Sequence, residues 1–280
     1  MAGLNKKTKY KLLALDLDGV LRNSRGQVPP RSIFLIKKIQ RFGVRVIVVT
    51  GKSLVTARRF ALAIGVKDLI ICHHGAVIGD PVKNKIIFEK PLPRYSLDII
   101  GPMLKKYPEL QGYFSLNNRF YLVENPAFPK GQRLHEKKSL QLEKIFQLGE
   151  DLKKKLKVAP SKIFFYTPKD KEGKYKKIFK KKFGGKINVF RSVKRYVELS
   201  PISVSKGKAL KKMLKKFKIK PSEAIAIGDE ENDISIIRLA GLGVAIKNAV
   251  PAVKKVADYV TARTNDQGGV DEVIEKFVLI

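Results

Sequence analysis

Residues 11–21 read KLLALDLDGVL, an apolar run of strand character that ends in two carboxylates, Asp16 and Asp18, two positions apart and followed by Gly19. Side chains of an extended segment alternate, so both aspartates emerge on one side. Like charges held together raise each other's pKa and repel unless a cation sits between them. On its own the stretch is open between a solvated Asp-Gly turn and the edge of a cation site. Three other segments bear on the choice. VRVIVVTG (44–51) leads an apolar run into Thr50 and Gly51, and AIAIGDEEND (224–233) leads another into Asp229, Asn232 and Asp233. Ser205-Lys206-Gly207 heads a lysine-rich segment. Clustered carboxylates without cysteine or histidine suit a hard cation such as Mg²⁺, which takes oxygen ligands and often leaves room for phosphate. A lysine and a hydroxyl beside it could hold phosphate oxygens, with helix N-termini adding N–H groups. Taken singly, each segment has an ordinary explanation: a helix cap, a strand exit, one more lysine in a basic helix. Their joint placement at strand ends, in this order, is harder to assign to chance.

The elements that must carry these residues follow a βαβ rhythm. KLLALD (11–16), VRVIVVT (44–50) and DLIIC (68–72) are continuous apolar strands. Between them, PRSIFLIKKIQRFG (30–43) and SLVTARRFALAIG (53–65) have helical spacing and glycine stops. The pattern returns with a helix at 205–217, strand 224–228, helix 232–240, strand 243–246, helix 249–257 and a last strand at 258–262. Strands apolar on both faces argue a parallel sheet covered on both sides, with ligands at the carboxyl ends of its strands. From 81 to 198 the texture changes. Alternating strands at 111–117, 119–125, 162–167 and 186–191, with helices at 94–106, 136–148 and 172–183, argue an antiparallel sheet with one face covered. Asn117-Asn118 reads as a hairpin turn. The expectation is therefore an α/β fold: a Rossmann-like parallel core from 1–80 and 199–280, split by an inserted α+β domain at 81–198.

Composition bounds the rest. The 280 residues are 44% hydrophobic, enough for a sizeable core. No apolar run is long enough to span a bilayer, and the run after the basic N-terminus is too short and too acidic for a signal peptide. With one cysteine, Cys72, no intrachain disulfide forms. These features lead us to expect a cytoplasmic protein. The charge is unusual: 58 Lys and Arg against 25 Asp and Glu, net +33. Residues 205–220 hold eight lysines and no acid, and 171–195 hold eleven Lys or Arg against one Glu. Apolar residues at helical spacing run through both, which fits solvated faces of amphipathic helices. A nucleic-acid partner on this basic surface is the competing reading. The oligomeric state is open.

Together the segments DLDGVL (16–21), VVTG (48–51), SKG (205–207) and GDEEND (228–233) resemble the haloacid dehalogenase-like hydrolases. AGLGVAIKNA (240–249) and ADYVT (257–261) resemble the tail of their Cof-type branch. The insertion between Thr50 and Lys206 is placed like that family's type-2 cap, which contacts the leaving group. The resemblance implies a Mg²⁺-dependent phosphatase for small phosphorylated metabolites, sugar phosphates in the broadest expectation. Asp16 would be the nucleophile and Asp18 the acid/base. Mg²⁺ would be held by Asp16, the Asp18 carbonyl and Asp229, with Asp233 in support. Leu17, Thr50, Gly51, Lys206 and Asn232 would hold the phosphoryl group. Lys52 stands where the branch usually has Arg. His73-His74-Gly75-Ala76 replaces a frequent Asn-Gly-Ala, with His74 in the place of the Asn. A phosphomutase or phosphotransferase would share this chemistry.

Overall fold

The computed structural model describes residues 8–129, 142–192 and 195–279. The chain divides into two compact units, Met1–Ile87 with Ser205–Ile280, and Phe88–Val204.

The first unit is built on β1 (Leu12–Leu15) and β2 (Arg45–Val48), with β3 (Ile70–Cys72), β4 (Val77–Asp80) and β5 (Lys85–Glu89) following in a small sheet of their own. An isolated parallel bridge from Val49 to Ile71 brings β3 alongside the end of β2. Every residue of β1 is buried, as a strand covered on both faces requires. Two of the covering helices, Pro30–Arg41 and Leu54–Ala63, turn Ile36, Ile39, Ala57 and Ala61 inward. Ser53 caps the second of them by accepting the Thr56 N–H at 3.3 Å.

The second unit holds β6 (Gln111–Leu116), β7 (Arg119–Glu124), β8 (Leu142–Gln147), β9 (Lys162–Tyr166), β10 (Ile187–Ser192) and β11 (Tyr196–Pro201), in the order β10-β11-β9-β6-β7-β8. The pairs are antiparallel apart from β7 and β8, which run parallel. Asn117 and Asn118 both take left-handed backbone, φ 51° and 62°, which makes the β6–β7 hairpin turn. Helices Leu97–Lys106 and Glu172–Phe183 bury Ile100, Met103, Tyr175 and Phe179 in one cluster with Phe114 and Phe165. Alternation along β6 and β9 sends Tyr113 and Phe164 to the other face, where their rings stack at 5.2 Å.

The chain then returns to the first unit. The Lys206–Phe217 helix buries Leu210, Met213 and Leu214, and its lysines beyond Lys206 point outward. Next come β12 (Ala224–Gly228), β13 (Leu242–Ala245) and β14 (Tyr259–Val260), and the Gly269–Phe277 helix closes the unit. The sheet order is β14-β13-β12-β1-β2, all parallel. From β1 the chain first builds outward to β2 and later returns to β12 on the opposite side. The line between β1 and β12 is thus the switch point at which an open α/β sheet leaves a crevice.

Three expectations need correction. The helix at 136–148 is not formed over 142–147, which is β8; residues 136–141 lie outside the described residues. Leu142, Ile145 and Phe146 mimic helical spacing, but pairing with β7 decides. The division at 80/81 falls inside a hairpin, where Asp80 Oδ1 accepts the N–H groups of Val82 and Lys83 at 2.8 and 2.9 Å. Asp80-Pro81 is the turn between β4 and β5, so the first unit runs on to Ile87. At the far end, β11 pairs on both sides and carries the insertion past 198 to Val204. No helix among the described residues is long and apolar enough to cross a membrane.

Candidate active site

The ladder between β1 and β12 continues one residue past β1, the Asp16 N–H reaching the Ile227 carbonyl at 3.2 Å. Asp16 therefore stands at the switch point beside the exit of β12, only 7% exposed. Its Oδ1 accepts the Leu17 N–H at 2.7 Å, and its Oδ2 lies 2.9 Å from Lys206 Nζ. Lys206 is the first residue of its helix, capped by the Ser205 side chain, and is itself buried. The same ammonium reaches Asp233 Oδ1 at 2.6 Å. The other Asp233 oxygen accepts the N–H groups of Asp229 and Glu230 at 3.1 and 3.2 Å, which folds the turn after β12 back on itself. Carboxylate oxygens of Asp16, Asp229 and Asp233 lie within 4.8 Å of one another. Gly19 closes this corner with left-handed backbone at φ 71°; a Cβ there would fall 2.0 Å from Asp229 Oδ2.

The electrostatics are out of balance. Burial pushes the Asp16 carboxyl up to about 7; Lys206 opposes this, while Asp233 and Asp18 add to it. Burial, then repulsion from Asp16 and Asp233, lifts Asp229 to about 9. Burial works to lower the Lys206 pKa, but the flanking Asp16 and Asp233 overcome it and hold the ammonium charged. One lysine thus faces three carboxylates. Asp229 Oδ1 is buried without a hydrogen-bond partner among the described residues. An orphaned carboxylate oxygen, an all-oxygen donor set and a deficit of positive charge fit a hard divalent cation such as Mg²⁺. Asp16 and Asp229 have the oxygens to hold it. Both Asp233 oxygens are engaged by protein donors, so Asp233 shapes the loop and fixes Lys206.

Asp18 stands apart from this triad. Its carboxylate pairs with Arg22 and, at 2.7 Å, with Lys52 Nζ. Beyond β2, Thr50 is buried, donates its N–H to the Ile71 carbonyl at 2.8 Å, and accepts the Lys52 N–H on Oγ1 at 3.2 Å. Gly51 lies against the His74 ring, where a Cβ would come 2.4 Å from the imidazole Cε1. His74 takes left-handed backbone at φ 56°, donates its N–H to the Thr50 carbonyl at 3.2 Å, and places Nδ1 3.1 Å from Asn232 Nδ2.

Apart from Asp18, which pairs with Arg22 and Lys52, the sequence-expected residues fall into two groups. Asp16, Leu17, Lys206, Asp229 and Asp233 form one, and Thr50, Gly51 and Asn232 meet at His74. Arg22 and Asn248 had not been singled out. Asn248 donates to the Gly19 carbonyl at 2.8 Å and accepts from Asn265 N–H at 2.9 Å, pinning the turn after β1 to the C-terminal segment. No spacing in the sequence announces that contact. Lys52 was visible as a basic residue after Thr-Gly, but its pairing with Asp18 was not.

Comparison with known proteins agrees with this geometry. A family model of haloacid dehalogenase-like hydrolases matches residues 13–274. Phosphatase YwpJ of Bacillus subtilis (strain 168) is 30% identical over 285 residues, covering 95% of this chain and 99% of the relative. From the same organism, 5-amino-6-(5-phospho-D-ribitylamino)uracil phosphatase YcsE is 28% identical, with 96% of each chain covered. The crystal structure of a haloacid dehalogenase-like hydrolase from Bacteroides thetaiotaomicron superposes with a TM-score of 0.78 at 29% identity, covering 95% of this chain and 99% of that one. The chain belongs to the haloacid dehalogenase-like hydrolases, in their Cof-type branch.

Proposed function

We propose that this hydrolase is a Mg²⁺-dependent phosphatase that cleaves phosphate monoesters of small metabolites through an aspartyl-phosphate on Asp16. The observation that carries the reading is Lys206 Nζ, shared between Asp16 and Asp233 while Asp229 Oδ1 is left without a partner. Bound Mg²⁺, held by Asp16 and Asp229 and by the Asp18 carbonyl that the family resemblance supplies, would neutralise charge on the nucleophile and the phosphoryl group. The chain's own residues do the rest. The Leu17 N–H fixes one Asp16 oxygen, and the other, which faces Lys206, would attack phosphorus. As the Asp16 O–P bond forms and the ester P–O bond breaks, Asp18 gives its proton to the departing alkoxide. Asp18 then takes a proton from the water that opens the aspartyl-phosphate, releasing inorganic phosphate and restoring Asp16. Lys206, Thr50, Gly51 and Asn232 hold the phosphoryl oxygens, and positioning with electrostatic stabilisation supplies most of the rate.

Support for the substrate class comes from relatives named as phosphatases, one of them for a phosphorylated ribityl compound. A panel of phosphorylated metabolites, assayed for phosphate release with Mg²⁺ and with EDTA, tests the proposal. Turnover should require the cation and fall at least about 10³-fold in Asp16→Asn, as removal of a nucleophile does. Hydrolysis that survives this substitution would sink the mechanism.

A further inference from the structure

We infer that His74 is a positioning residue: it donates from Nδ1 to the Asn232 side-chain oxygen and so turns the Asn232 amide nitrogen toward the phosphoryl group. The inference rests on the phosphatase reading, in which Asn232 holds a phosphoryl oxygen. Three observations converge on it. The His74 ring is seated against Gly51, at the one place where a side chain on residue 51 would exclude it. Its backbone is left-handed, a conformation uncommon for any residue but glycine and asparagine and maintained only when the surroundings impose it. The contact between His74 Nδ1 and Asn232 spans 3.1 Å, while Asn232 Oδ1 is buried with no hydrogen-bond partner among the described residues.

The orphaned oxygen decides the direction of the bond. If the amide nitrogen faces the imidazole, a lone acceptor is left buried, and toward an anionic ligand it would be repulsive. A half-turn about the last side-chain bond exchanges amide oxygen and nitrogen without moving the rest of the residue. The oxygen then accepts from His74 Nδ1–H, and both amide hydrogens become free to donate to a phosphoryl oxygen. The buried amide oxygen gains a partner, His74 Nδ1 keeps one, and His74 is fixed in the tautomer protonated at Nδ1. Because its backbone N–H holds the Thr50 carbonyl, the same residue sets the relative position of Thr50, Gly51 and Asn232.

An asparagine at position 74 would carry its amide nitrogen at the same bonded distance from the backbone as histidine Nδ1, and it accepts left-handed backbone. His74→Asn should therefore preserve the donor, whereas His74→Ala removes it. Two measurements on the full chain decide the matter. In protein labelled with ¹⁵N-histidine, the His74 signal, assigned by its loss in His74→Asn, should show the neutral ring protonated at Nδ1. A ring protonated at Nε2 with bare Nδ1 overturns the inference, whether or not any ester is hydrolysed. In kinetics, His74→Ala and Asn232→Ala should each lower kcat/KM about tenfold, the scale of a hydrogen bond to a charged group. Each should weaken inhibition by orthovanadate to a similar degree. The double variant should be no worse than Asn232→Ala alone within about twofold, and His74→Asn should keep activity within about twofold of the parent. Independent losses that multiply to about a hundredfold, or a His74→Asn as impaired as His74→Ala, overturn it. Absence of any hydrolysis by the parent protein would instead count against the phosphatase reading.

Discussion

Two buried lysines separate the two units of this molecule. Lys206, in the first unit, lies between Asp16 and Asp233 with Asp229 close by, one cation among three carboxylates. Lys162, on β9 of the second unit, meets Glu198 of the neighbouring β11 at 2.6 Å, one charge of each sign. Both ammonium groups have left water at a cost. In the second unit a buried base faces a buried acid, and the pair pins two strands in register. In the first, carboxylates outnumber the ammonium, and protons or a further cation would offset the surplus of negative charge. Buried polar residues thus serve architecture where their charges close and chemistry where they remain open.

Removing each lysine is the sharpest way to test that contrast. Lys206→Met should reduce kcat by about 10²–10³, in the range for loss of one stabilising group at a developing charge. Lys162→Met should leave kcat within about threefold but destabilise the fold by about 3–5 kcal/mol, because it removes the buried ammonium that Glu198 faces. Joint replacement with Glu198→Leu should recover most of that loss in denaturant titrations. A Lys162→Met that loses turnover as severely as Lys206→Met would erase the distinction.

A smaller effect lies in the pH dependence of metal-free protein. The Asp16 and Asp229 carboxyls have folded-state values near 7 and 9 against an ordinary 3.8. Between these limits the native state binds more protons than the unfolded chain. Stability without metal therefore falls as pH rises from about 4 to 9. Mg²⁺ competes with those protons, so 10 mM MgCl₂ should raise Tm by about 5 °C at pH 8 and hardly at all at pH 5. An equal shift at both pH values would show that the cation binds elsewhere.

The smallest effect concerns the surface. With a net charge of +33, the protein should concentrate anionic esters around it, so kcat/KM for a dianionic substrate should drop a few-fold between 50 and 500 mM salt at fixed Mg²⁺. A flat profile would remove steering and leave the lysine-rich helix faces as solvated surface.

The first unit was legible for a physical reason. A strand buried on both faces must be apolar throughout, so the polar residue at which LLAL or AIAIG stops marks a strand end, and the parallel topology gathers those ends. That logic pointed to Asp16, Thr50 and Asp229 without knowledge of any contact, whereas Lys206 was singled out at a helix start and by the family resemblance. It did not reach Arg22, Asn248 or the pairing of Lys52 with Asp18, each of which depends on the particular atom the side chain meets. In the second unit the same logic weakens. Strand β8 is an edge strand whose apolar residues fall at helical spacing by coincidence, and β11 buries Glu198 on the face it shares with Phe164, opposite the helix-covered core, where alternation alone suggests an exposed polar residue. The Asn117-Asn118 turn was visible because its backbone demands residues that tolerate positive φ.

The carboxylate triad also carries an implication for the order of events. Seen from afar the molecule attracts phosphate, yet at its centre three acids outnumber one base, and a dianionic ester reaching that point first would be turned away. On the proposed reading the divalent ion should load before the ester, and an ester without it should bind weakly and nonproductively. The protein would work as a coincidence detector in which the metal licenses the substrate.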